Sequence, residues 1–319
     1  MEISFDSIKH VVSAYGAART DAGKRVRVAV YVDASATPFL IDAVRGALVP
    51  ETTAAVVRVS RLAGAAAPAE DTDVCIVLSC GGEGIEAAVS GLVLAGAPVV
   101  VVAESSVEVP FIERDSRLLG LVAATDRTHL LNALARWILD RTDKDAAFAA
   151  NFPFMRVSAA GRTVTACALG NAATALIVWP RGADFPTMTL AQLDMMLKLA
   201  GIYGKPIGPE RAYEAAGVVA CACAMRSAAR LLTRHLGRYG IVAKALIGGA
   251  GSYAVGLGLC ALYRRDVSYE RVNGAVAAAV ARAREAAGAV AERRAAGSRD
   301  GALAVAGAPQ EGPVARARA

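Results

Sequence analysis

Five short apolar runs, separated by segments of helix length, constrain this chain more than any other feature. They are residues 26–32, 54–60, 73–78, 98–103 and 119–124. Residues 26–32 alternate enough to be a strand, and 73–78 and 98–103 are continuous apolar runs of the kind that fills a buried strand. Helix patterns run from Pro38, a favoured first-turn residue, to about Leu48, after Gly84 to about Leu94, and from an Asp126 cap to about Asp140. Strands and helices in this alternation predict a mainly parallel, doubly wound α/β sheet over residues 21–145.

Such sheets bind ligands in loops at the carboxyl ends of their strands. Here those loops are residues 33–37, 80–84 and 104–106, with Asp33, Ser35, Gly81, Gly82, Gly84 and Ser105 as candidate ligand-binding residues. A glycine-rich turn at a helix start can receive an anion, although Glu83 would repel one. A phosphate-cradling loop needs GxxxxGK[ST], and residues 33–40 hold neither Gly nor Lys. The Gly23-Lys24 pair precedes the first strand, and no GxGxxG follows any strand. The element order resembles a small GTPase domain worn down, with residues 73–78, 98–103 and 119–124 where its last three strands would fall. The guanine-reading N/TKxD motif would then fall at Val102-Ala103-Glu104-Ser105 and is absent, as is a metal-linked DxxG near Ser60. The resemblance therefore implies a degenerate GTPase-like, Rossmann-like domain that does not hydrolyse GTP.

From residue 146 the pattern changes to helices. Thr189 and Gln192 read as a capping box, and Leu190, Leu193, Met196, Leu197, Ala200 and Tyr203 mark one helical face that Gly204 ends. Gly182-Ala183-Asp184-Phe185-Pro186, Gln192, Met195-Met196, Tyr203-Gly204, Pro209-Glu210-Arg211 and the later run from Lys244 to Gly256 resemble the bacterial domain of unknown function 697. The resemblance covers about residues 150–270. It implies a helical domain that often follows a GTPase domain or a reduced one, several members of which look like inner-membrane or membrane-associated proteins. It carries no catalytic residue.

Charge is divided along the chain. Residues 1–145 hold 14 Lys and Arg against 19 Asp and Glu; residues 146–274 hold 14 against 6. An acidic half joined to a basic one points to an anionic membrane surface or acidic protein as partner, or to attraction between the halves themselves. Arg226, Arg230, Arg234 and Arg238 follow one another at helical spacing as a basic stripe. Few aromatics accompany it, so no nucleic-acid partner is expected. Two stretches lack charge, residues 163–180 and 245–263. The second would span about 28 Å as a helix, close to a bilayer core. Gly248, Ser252 and Gly256 form a small-residue seam in it, suited to close helix packing or self-association.

Six cysteines form no CxxC pair, and the three histidines have no clustered partners, so neither a metal site, a cofactor nor a catalytic triad is expected. Met1 to Asp6 opens with acids and shows no basic region followed by an apolar one, so no cleavable signal is expected. The expected organisation is an arm (1–20), the α/β domain (21–145), a helical domain (146–274), and an Ala/Arg-rich helix with a disordered tail (275–319). The expected function is a non-enzymatic membrane-associated or scaffold protein on the cytoplasmic side. The rival is a soluble protein binding a nucleotide or phosphometabolite at the strand-end loops.

Overall fold

The computed structural model describes residues 5–62, 67–177, 184–206, 211–236 and 240–265. Residues 275–319, and with them the expected terminal helix and tail, lie outside the described residues.

Five parallel strands form the sheet: β1 (Val26–Val32), β2 (Ala55–Arg61), β3 (Val74–Leu78), β4 (Val99–Ala103) and β5 (Leu119–Ala123), ordered β2-β1-β3-β4-β5. The expected α/β architecture is present, with a helical region after it. β3 and β4 are buried along their whole length, as continuous apolar runs require. On one face, Val28, Val30, Ile76, Leu78, Val100 and Val102 pack under α2 (Pro38–Ala47) and α4 (Arg127–Leu139). On the other, Tyr31, Cys75, Val77, Val99 and Val101 pack under α3 (Ile85–Leu94). Thr37 caps α2 by accepting from the Leu40 amide, and Asp126 caps α4 by accepting from the His129 amide. β2 is an edge strand, with Val56 and Val59 exposed and Arg58 and Arg61 on its rim. Charges of this kind discourage pairing with another chain's edge.

The rest of the described chain is helical: α1 (Phe5–Ala22), α5 (Asp145–Asn151), α6 (Arg156–Leu176), α7 (Asp184–Ile202), α8 (Arg211–Leu236) and α9 (Gly240–Arg264). The segment expected as an arm is α1, which packs on α5 and α7. α7 lies at the centre, touching α1, α5, α6, α8 and α9; α9 lies over it between α6 and α8. One apolar core runs without a break from Val100 and Leu130 through Phe148 and Met155 to Met195 and Leu199. The α/β and helical parts therefore fold against each other.

Cations of the basic half meet anions of the acidic half at this junction. Arg156 pairs with Glu51, and Arg162 reaches Asp140 at 2.7 Å and Asp145 at 3.6 Å. Attraction between the halves thus accounts for part of the charge division.

The capping box expected at Thr189 and Gln192 is absent. α7 begins five residues earlier, at Asp184, which leaves both residues inside the helix and buried. Gln192 Nε2 instead donates to Ser252 Oγ at 2.8 Å, across to α9. A cap and an interior cross-helix bond use the same side chains, and only the position of the helix start separates them.

Candidate functional site

In this strand order the topological switch falls between β1 and β3, and a ligand of a doubly wound sheet sits there, at the strands' carboxyl ends. The fold brings Asp33 and Ser35, after β1, against Ser79, Gly81 and Gly82, after β3. Ser79 Oγ donates to Asp33 Oδ2 at 2.8 Å, and the Ser35 hydroxyl donates to the same oxygen. In return Ser35 Oγ accepts from the Cys80 amide at 2.9 Å, and Ser79 Oγ accepts from the Gly81 amide at 3.2 Å. The backbone donors that would cradle a phosphate are therefore taken by the protein's own hydroxyls, which the Asp33 carboxylate orients.

Glycine is required twice in this turn. Gly81 has φ +89°, and a Cβ there would lie 2.6 Å from the Glu108 carbonyl oxygen; a Cβ on Gly82 would lie 2.2 Å from Asp33 Oδ2. Gly81→Ala is expected to cost about 2 kcal/mol or more, since the left-handed backbone alone penalises a side chain by about 1–2 kcal/mol. A urea-unfolding midpoint unchanged by this substitution would contradict the geometry.

Ser105 stands one loop further on, where it caps the 3-10 turn Ser106–Glu108 and exchanges hydrogen bonds with Glu108. Gly84 caps α3 with φ +77° and has nothing near its Cβ position. Ser79 and Glu108 escaped sequence reasoning, and Thr37 and Glu104 lie in the expected loops without having been singled out. Thr37 donates to Glu104, and Glu108 accepts from the Glu104 amide at 3.2 Å. The S-x-x-E spacing of Ser105 and Glu108 was a readable capping-box signal. Nothing in the sequence marks Ser79 beyond its place at the end of a strand.

Burial alone would raise the Asp33 pKa, but hydrogen bonds from Ser35 and Ser79 and from the Ser35 and Ala34 amides hold it below the ordinary carboxylate range. A group depressed in the folded state stabilises above its unfolded pKa, about 3.9, and loses that contribution as pH falls through the lowered folded value. Asp33→Asn is therefore expected to flatten the acid limb of the stability curve below about pH 4, as urea unfolding across that range would read. An unaltered limb would contradict the assignment. Burial also pushes up the nearby thiols, Cys75 to about 12 and Cys80 less far, so both stay protonated at neutral pH.

Among the described residues no group of three His, Cys, Asp or Glu side chains is placed to hold a metal. A separate groove of about 660 Å³ opens between α1, α5, α6 and α7. Its charges pair largely with one another, Lys198 with Asp194 at 2.9 Å and Arg162 with Asp145 at 3.6 Å.

In the helical region the seam is already occupied. A Cβ on Gly256 would lie 2.6 Å from the Val164 methyls of α6 and 3.1 Å from Met195 Sδ of α7; one on Gly248 would meet Met188 Cε at 2.6 Å. Ser252 accepts from Asn171 Nδ2 at 2.7 Å as well as from Gln192. The seam that suggested self-association thus faces α6 and α7 of its own chain. Opposite the seam, α9 shows solvent an uncharged stripe that includes Val242, Leu246, Tyr253 and Leu257, with Leu246 66% and Leu257 51% exposed. Leu169 and Leu176 of α6 are exposed as well. Among the described residues α9 is the one helix long and apolar enough to cross a membrane; residues 163–177, the described part of the other uncharged stretch, lie mostly within α6. Of the basic stripe, Arg226 is half-buried and Arg230 exposed on α8; the Arg234 side chain and Arg238 lie outside the described residues.

No protein-family model matches the chain, and neither a curated protein nor a solved structure gives a significant match.

Proposed function

We propose that this protein is a non-enzymatic, membrane-associated scaffold, held at the cytoplasmic face of the inner membrane by its helical region. The observation that carries the reading is the outward side of α9, a long stripe of exposed apolar residues with no charge. A soluble helix packed on one side keeps polar residues on the other, and a large exposed apolar patch marks an interaction surface. Two exposed cations, Arg264 and Arg265, lie at the end of this side of the helix. Each basic residue close to an anionic bilayer contributes about 1 kcal/mol.

The α/β domain fits the same reading as a worn-down GTPase-like platform. Its switch point is closed by its own side chains and carries Asp33, Glu104 and Glu108, an arrangement hostile to phosphate. The likeness to the domain of unknown function 697 belongs to this proposal too. Gln192, Met195, Tyr203 and Arg211 of that pattern sit in packing and hydrogen-bonding positions of the helical region.

Cell fractionation tests the proposal: the chain is expected to sediment with membranes at low salt, and complete recovery in the high-speed supernatant would overturn it. A GTPase assay is expected to show no turnover above buffer, and magnesium-dependent hydrolysis would overturn the non-enzymatic reading.

A further inference from the structure

We infer that α9 lies flat along the headgroup–acyl boundary of an anionic bilayer, as one side of the folded helical region, and does not cross it. The inference rests on the membrane reading above and adds the geometry of contact.

A lone crossing helix would have to leave its neighbours. The inner side of α9 holds Gly248, Ser252 and Gly256 against α6 and α7, and Ser252 is the shared acceptor for Asn171 and Gln192. Withdrawing α9 would strip these two buried amides of that partner and open the apolar seam.

Crossing as a folded bundle fails for a different reason. The Met225 side chain of α8 meets Gly251, near the middle of the uncharged stretch, and Arg226 is the next residue. Met195 of α7 meets Gly256, with Asp194 beside it and Lys198 one turn on. A bundle that carried α9 through the bilayer would take these charges towards its centre, where each costs about 2.5–3.5 kcal/mol or more.

Burial from one side meets neither obstacle. Val242, Leu246, Tyr253 and Leu257 share one flank of the helix over about 22 Å of its length. An apolar flank of this kind sinks about 5–10 Å into the boundary while its basic flanks stay at headgroup level. Arg264 and Arg265, both exposed at the end of this flank, supply complementary charge for anionic headgroups.

Depth measurement by spin label tests the geometry in the full chain. Accessible native thiols are first removed by Cys80→Ala, Cys167→Ala, Cys221→Ala and Cys223→Ala, leaving buried Cys75 and Cys260. Single labels are then placed at Val242→Cys, Leu246→Cys, Tyr253→Cys and Leu257→Cys. Collision with oxygen and with a water-soluble nickel reagent is compared on vesicles of phosphatidylethanolamine and phosphatidylglycerol. The expected result is one shallow depth shared by all four labels. Depth that increases steadily along the series would overturn the flat geometry while leaving membrane association standing. Labels that never contact lipid would overturn both. Spin–spin coupling between copies without vesicles would assign the face to a second copy of the chain and overturn the inference.

Discussion

Replacing Glu214 with Ala is expected to lower folding stability by about 3–5 kcal/mol, the usual penalty for leaving one partner of a buried ion pair alone. Arg211 and Glu214 pair within the first turn of α8 with side-chain exposures of 5% and 3%. Glu214 Oε2 also accepts from the Tyr263 hydroxyl at 2.6 Å, and Arg211 Nε donates to the Pro206 carbonyl at 3.2 Å. The Arg211 guanidinium lies over the Tyr263 ring at 5.4 Å. This network fastens the start of α8 to the ends of α7 and α9. Glu214→Ala would leave the guanidinium buried without its carboxylate and the Tyr263 hydroxyl with only the long bond to the Met196 carbonyl at 3.5 Å. The paired change Arg211→Met with Glu214→Leu removes both charges together and is expected to recover most of the loss. Urea unfolding of the full chain reads the difference. A loss below about 1 kcal/mol for Glu214→Ala would mean that the pair is solvated, contrary to the burial described.

That network shows why sequence reasoning reached the fold more fully than the site. Residues 73–78 and 98–103 could be read as buried strands because burial on both faces demands apolar residues throughout, which is a local property. The cap at Asp126 is local too. Glu214 and Tyr263 are 49 residues apart, and Gln192 and Ser252 are 60 apart. No spacing rule connects such pairs, so the roles of Tyr203, Arg211 and Gln192 were not visible in the sequence. Thr189 misled because its signal as a cap was complete while α7 starts five residues earlier, at Asp184. At the switch point, Asp33, Ser35, Gly81 and Gly82 were foreseeable from strand ends alone. That their donors are already satisfied depended on Ser79, a serine with no distinguishing neighbours in sequence. The occupied seam on α9 is a similar case. Gly248, Ser252 and Gly256 advertise close helix packing, and only the tertiary arrangement says that the partners are α6 and α7.

The second large effect concerns the opposite side of that helix. Placing glutamate at both Leu246 and Leu257 is expected to weaken binding to anionic vesicles about a hundredfold. Full burial of a leucine side chain is worth about 1.5–3 kcal/mol, and each 1.4 kcal/mol is a factor of ten. A partly immersed leucine at each position therefore supplies about one factor of ten, and a carboxylate near anionic headgroups adds repulsion. Both side chains are exposed, at 66% and 51%, so the folded protein is expected to tolerate the change within about 0.5 kcal/mol. Loss of binding without loss of folding separates a lipid-contacting face from a merely structural one.

Flotation of the full chain with phosphatidylethanolamine and phosphatidylglycerol vesicles, wild type beside Leu246→Glu/Leu257→Glu, tests the central claim most directly. The wild type is expected to rise with the vesicles, and the variant to stay at the bottom of the gradient with an unchanged thermal transition. A wild type that fails to float, or a folded variant that floats equally well, would contradict the claim that the outer face of α9 binds the membrane.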